Sequence, residues 1–155
     1  MTTSRFDTRV PPPAVFAALG LAMWLVAYFT PALSFHFAAS GGTALTLGAL
    51  GLAVTLTGVV QFRLARTTVN PLKPGKAATV VTGGIYSVTR NPMYLGMLLV
   101  LAGWQVYLGN LFSLEFLLLF PYFITRHQIK PEEQALSAKF GEPYQAYMGR
   151  VRRWL

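Results

Sequence analysis

Two blocks of this chain carry residue types that could do chemistry. The first, Thr82 to Gly96, reads TGGIYSVTRNPMYLG and sets a double glycine, Arg90, Tyr86 and Tyr94 beside the start of an apolar run. Gly83 and Gly84 allow backbone conformations that a side-chain carbon forbids. Pro92 disfavours helix at Asn91 and suits the first position of a new one, so Asn91 reads as a cap and Pro92 as the first helical residue. The backbone N–H groups left free at such a start would face whatever sits beside Tyr86, Arg90 and Tyr94. Taken alone, the block is equally an ordinary loop into a membrane helix, with the arginine on lipid phosphate.

The second block begins at Pro131 and reads PEEQALSAKFGEPYQAYMGRVRRW. Pro131 with Glu132 and Glu133 marks a helix start, Ala135, Leu136 and Phe140 give an apolar stripe, and Gly141 before Pro143 stops it. A second short helix then puts Tyr144, Tyr147, Met148 and Val151 on one face, with Arg150, Arg152 and Arg153 beside it. Carboxylates suit an amine or a ribose hydroxyl, tyrosine faces an adenine or sulfonium, and arginine a carboxylate. The acid pair also has a purely structural reading, as favourable charge at a helix N-terminus. Neither block holds a strong nucleophile, which favours a reaction whose reactive groups sit on cofactor and substrate while the protein aligns them.

Other chemistry is excluded by what the chain lacks. It has no cysteine, so disulfide, thiolate and cysteine-metal chemistry are ruled out. The one aspartate, Asp7, lies in an N-terminal tail, and the two histidines, His36 and His127, are predicted on opposite sides of a membrane. A Ser-His-Asp triad or a histidine metal site is therefore not built, and neither a Walker loop nor GxGxxG occurs.

The elements that must position these blocks are set by composition. Of 155 residues, 54% are hydrophobic and 12% charged, which is too apolar for a soluble domain of this length. The net charge of +8 does not read as nucleic-acid binding, because no basic stripe interleaved with exposed aromatics stands apart from the apolar runs. The expected fold is all-α and integral to the membrane, a single domain over residues 1–155. Residues 1–13 are a polar tail and 14–33 a first span; its twenty uncharged residues make about 30 Å of helix. A signal peptide is the competing reading of that stretch, but it is long for one. Residues 43–64 are a second span, whose Gly48, Gly51, Thr55 and Gly58 offer small faces to another helix.

A polar loop, 65–91, leads to the thirty-one-residue run Met93 to Phe123, whose only charge is Glu115. Gly109-Asn110 should fold this run into a hairpin of spans 92–108 and 111–125. Glu115, as an acid within an apolar span, is a functional candidate, but it lies close to that turn and reads first as reaching the far interface. Residues 126–155 form a helical cap. In this four-span arrangement all 13 basic residues fall on one side, which the positive-inside rule makes cytoplasmic, with both termini. That side is the inner face if the membrane is bacterial.

The two blocks, in this order and flanking a hairpin, resemble the isoprenylcysteine carboxyl methyltransferase and phospholipid methyltransferase superfamily of integral membrane enzymes, over roughly residues 80 to 153. Its usual pattern is a tyrosine, then Arg-His-Pro-x-Tyr-x-Gly, then Glu-Glu-x-x-Leu and Phe-Gly-x-x-Tyr-x-x-Tyr before a basic end. The resemblance implies S-adenosylmethionine bound on the cytoplasmic side and methyl transfer to a lipophilic small molecule from the bilayer, with no nucleic acid and no metal. Carried over by position, Tyr86, Arg90, Asn91, Tyr94, Leu95, Gly96, Glu132, Glu133, Tyr144, Tyr147 and Arg150 would bind the cofactor. Arg126 and Glu133 would be catalytic. Asn91 replaces the usual histidine and does not titrate near neutral pH. Gln128 stands where the prenylcysteine enzymes have an arginine before the acid pair, so an amine lipid or another small hydrophobic acceptor is as well allowed as a prenylcysteine carboxylate. The rival readings are an NADPH-dependent membrane reductase of the sterol type and a non-catalytic binding module; titration with the two cofactors separates all three.

Overall fold

The computed structural model describes residues 10–36, 38–65 and 79–155; the Arg66, Lys73 and Lys76 part of the polar loop and Arg5, Asp7 and Arg9 of the tail lie outside them. Among the described residues the chain is all-helical, with one isolated antiparallel bridge between Ser34 and Asn110. Helix α1 covers Pro12–Phe29. It starts before Ala14 because Pro12 takes the first helical position, where its missing N–H costs nothing. A 3-10 turn, Pro31–Leu33, follows. Helix α2, Ser40–Leu64, takes Gly41 and Gly42 into its first turn instead of leaving them in the loop.

Helix α3 is Pro92–Leu108, the residues of the third apolar segment. Asn91 precedes it but makes no side-chain cap, and Gly109 ends it with φ +60°. Helix α4, Leu114–Ile124, begins later than residue 111 because Asn110 organises a turn first: its Oδ1 accepts the N–H groups of Phe112 (3.0 Å) and Ser113 (3.2 Å). Glu115 is exposed in the first turn of α4.

The second block does not open a new helix at Pro131. Helical backbone runs on from α4 through a π-helical turn, Thr125–Ile129, into α5, Lys130–Phe140. Proline removes one i→i−4 donor and crowds the preceding turn, and a wider turn accommodates both. Gly141, at φ +60°, separates α5 from α6, Glu142–Arg150.

Helices α2 and α3 pack most closely, through small residues on both. A β-carbon on Gly96 would collide with Thr55 Oγ1 and the Gly51 carbonyl, and one on Gly103 would press the Ala44 carbonyl. The core lies on the other side of α3, where Met23 of α1, Leu101, Phe120 and Ile124 are buried with Tyr94 and Ile129. At the hairpin end Asn110 is fully buried and donates to the Thr30 carbonyl (2.9 Å) and to Ser34 Oγ (3.0 Å).

Helices α1 and α2 are long and apolar enough to cross a membrane, and only 11% of each most apolar stretch is buried within the molecule. They expose Leu21, Leu25, Leu45, Leu50 and Leu56. Between these two helices, over Val100, Leu101 and Trp104, runs an open apolar groove of about 1010 Å³.

Candidate functional site

The glycine turn is built against α2. Gly84 takes φ +56° to open the 3-10 turn Gly84–Ser87, and the Gln61 amide sits where a β-carbon would be. With its amide oriented to satisfy both groups, Gln61 donates to the Gly83 carbonyl (3.0 Å) and accepts from the Ile85 N–H (3.1 Å). This fixes Tyr86, which is buried edge-on to Phe62. The Tyr86 hydroxyl lies 3.5 Å from the Gly58 carbonyl, and its own carbonyl accepts the Tyr147 hydroxyl at 2.7 Å. The first block is thereby tied to α2 on one side and to α6 on the other.

The acid pair meets the first block from the opposite direction. Arg90 Nη2 is 3.0 Å from Glu133 Oε1, with the arginine side chain 9% exposed. Glu133 is shared: Arg153 donates from Nε to Oε1 at 3.0 Å and from Nη2 to Oε2 at 2.6 Å. That bond raises the Arg153 pKa further. Among the described residues Glu132 has no such company. Its Oε1 accepts from the Tyr94 hydroxyl (2.8 Å) and from Gln128 Nε2 (2.7 Å), both neutral. Burial pushes its carboxyl up to about 7 against the pull of those two bonds, and the charge of Glu133 adds to the rise.

The chain end completes the cluster. Beyond α6 it lies beside the 89–91 turn: Arg90 N–H donates to the Arg152 carbonyl (3.0 Å), Thr89 Oγ1 (3.3 Å) and Asn91 Nδ2 (2.9 Å) to the Arg153 carbonyl. Trp154 Nε1 then reaches Thr125 Oγ1 at 3.1 Å.

Between the two blocks is a small cavity of about 60 Å³ bounded by Phe62, Val80, Tyr86, Arg90, Tyr144 and Tyr147. Burial raises the pKa of the Tyr86 and Tyr144 hydroxyls and pushes Tyr147 up to about 12, although nearby Arg90 lowers Tyr144 and Tyr147 somewhat. All three are neutral donors at physiological pH. Arg90 Nε and Nη1 are buried with no hydrogen-bond partner among the described residues. Such orphaned donors are costly and call for an acceptor. Glu132, with only neutral partners among the described residues, and Arg90, paired with the next residue Glu133 and holding two unused donors, make a donor set that fits the charged end of a zwitterion. The cavity is smaller than the roughly 300–1,000 Å³ typical of a drug-sized ligand, so only a small polar group fits it as shaped.

The structure thus gathers Tyr86, Arg90, Asn91, Tyr94, Glu132, Glu133, Tyr144 and Tyr147. Leu95 is buried, and Gly96 faces α2, where its lack of a side chain serves helix packing. Arg126, on the π turn, and Arg150, at the end of α6, are exposed outside the cluster. Gln61, Gln128 and Arg153 belong to it and were not singled out as site residues above. Gln128 stands four residues before Glu132, a helical spacing readable in the sequence. Arg153 sits twenty positions from Glu133, where no local pattern applies.

Residues 39–143 match the model of the phospholipid methyltransferase family. Over 121 residues the chain is 32% identical to the protein-S-isoprenylcysteine O-methyltransferase of Schizosaccharomyces pombe, which covers 77% of this chain and 50% of that enzyme. It is also 43% identical over 63 residues to an uncharacterized protein of Haemophilus influenzae, across 41% of this chain and the whole of that protein. The chain spans about half the length of the yeast enzyme.

Proposed function

Since the chain belongs to the phospholipid methyltransferase family of membrane methyltransferases, we propose that it transfers a methyl group from S-adenosylmethionine to an amphiphilic acceptor dissolved in the bilayer. The observation that carries the reading is the pairing of Arg90 with Glu133, the residue next to Glu132: one arginine with two unused donors and one acid that, among the described residues, is held by neutral donors alone. When bound, the cofactor supplies a methyl group already activated on a sulfonium. The protein's part is to hold and align.

In this reading Arg90 Nε and Nη1 take a carboxylate, and Glu132 takes an ammonium or a ribose hydroxyl. Glu133, clamped by Arg90 and Arg153, keeps the Arg90 plane in place. Tyr144 and Tyr147 offer ring faces and neutral hydroxyls at the cavity wall. In the same reading Arg126, exposed where α4 passes into α5, meets the polar head of the acceptor. The acceptor is a small hydrophobic molecule with a carboxylate like that of a prenylated cysteine, an amine lipid, or a relative of these.

The same reading has α1 to α4 crossing the bilayer, the 65–91 loop and α5–α6 on the cytoplasmic side, and both termini there. Helix α4 is only 11 residues long, but unbroken helical backbone into the π turn extends it toward the interface. Protein reconstituted in liposomes of extracted lipid, given S-adenosylmethionine with an isotopically labelled methyl group, should yield labelled hydrophobic product and S-adenosylhomocysteine. Mass spectrometry that finds neither, with carboxylate and amine acceptors both supplied, overturns the proposal.

A further inference from the structure

Asn91 does something that neither helix capping nor ligand contact explains. Its side chain makes no cap bond to α3; instead Nδ2 donates to the Arg153 carbonyl at 2.9 Å, while its own N–H donates to Thr89 Oγ1 at 3.2 Å. Thr89 Oγ1 reaches the same Arg153 carbonyl. Two side chains of the turn therefore converge on one backbone oxygen of the chain end, and the Arg90 N–H takes the carbonyl next to it. The residue whose backbone is pinned carries the guanidinium that grips Glu133 through both oxygens.

We infer that Asn91 is a positioning residue: through the Arg153 carbonyl it fastens residues 151–154 across the 89–91 turn and so holds the Arg153 guanidinium on Glu133. The electrostatic result rests on the proposed function above. With Arg90 and Arg153 both on Glu133, that acid is satisfied within the protein, and Glu132 remains as the carboxylate offered to a cationic ligand group. Releasing the fastening frees Arg153 from Glu133. Arg90 is then the sole cation among the described residues on that acid, is drawn more fully to it, and its unused donors turn from the cavity. The Arg153 side chain is one-third exposed, against 9% for Arg90, so it is the partner that solvent can take.

The test uses the full chain in lipid nanodiscs, with two measurements. In the first, hydrogen exchange at the Arg90 amide, which donates to Arg152, is followed without ligand in the wild type, N91A and N91S. Serine keeps a helix-capping residue and adds no charge but is too short to reach the carbonyl. Exchange about tenfold faster in both variants is expected; unchanged exchange overturns the fastening. The second reads S-adenosylhomocysteine affinity in N91A, R153A and the double variant. About tenfold weakening in each single variant, with the double variant no weaker than R153A, is the expected pattern. A hundredfold, additive loss in the double variant means Asn91 acts on the ligand independently and overturns the positioning role. Absence of any S-adenosylhomocysteine binding by the wild type defeats the cofactor reading instead, and the exchange measurement still decides the fastening.

Discussion

Glu132 and Glu133 are neighbours in sequence and opposites in electrostatics, because helical geometry sends one to Tyr94 and Gln128 and the other between Arg90 and Arg153. The consequence is measurable as pH dependence. The folded-state pKa of Glu132 is raised from 4.5 to about 7 by burial, so between those values the folded protein holds a proton that the unfolded chain has lost. Its contribution to stability is therefore greatest at low pH and declines as pH rises through that window, levelling above it. Thermal unfolding without ligand should show that decline between pH 5 and 7.5, and E132Q should remove it. Binding runs the other way, since a cationic ligand group wants the ionised carboxylate: S-adenosylhomocysteine affinity should rise roughly tenfold from pH 6 to 8 and be flat in E132Q. A flat wild-type profile contradicts the role given to Glu132. That Arg90 and the acid pair would lie around one site was legible only through the family resemblance, since each block alone reads equally well as structure. That Arg90 would meet Glu133, shared with Arg153, was not, because a pairing across a chain end leaves no periodic trace.

At the scale of elements, the glycines of α2 and α3 and the asparagine after α3 set the frame. Gly96 is in contact with the Gly51 carbonyl and Thr55, leaving no space for a side chain, so G96V forces the helices apart and should cost about 1–3 kcal/mol or more, read as a lowered unfolding midpoint in detergent. N110A should cost about 1–3 kcal/mol, because it strips acceptors from the Phe112 and Ser113 amides in a buried turn. Helix α3 was legible at both ends, since Asn-Pro and Gly109 are local signals that packing does not override. The junction of α4 and α5 was not. Pro131 followed by two acids is a start signal, and the chain overrides it with a π turn that keeps one helical path from the hairpin to the acid pair. That continuity carries Gln128 and Glu132 on the same helical body as the buried Phe120 and Ile124, so core packing orients the site.

For the molecule as a whole, apolar length and the one-sided distribution of 13 basic residues lead to the proposed four crossings with both termini together. Because the chain has no cysteine, single introduced thiols report cleanly: A39C and L155C should react with an impermeant maleimide from opposite faces of oriented vesicles, and labelling from one face alone would contradict the topology. What composition could not reveal is that α1 and α2 rest on α3 separately, leaving the apolar groove between them, because nothing in either helix names its neighbour. The central question for the molecule is whether the two blocks make one cofactor site. Calorimetric titration with S-adenosylhomocysteine of the wild type, R90A and E132A, each first shown to keep its unfolding transition, tests this most directly. Both variants should bind at least tenfold more weakly, about 1.4 kcal/mol, and wild-type affinity in both would contradict the account.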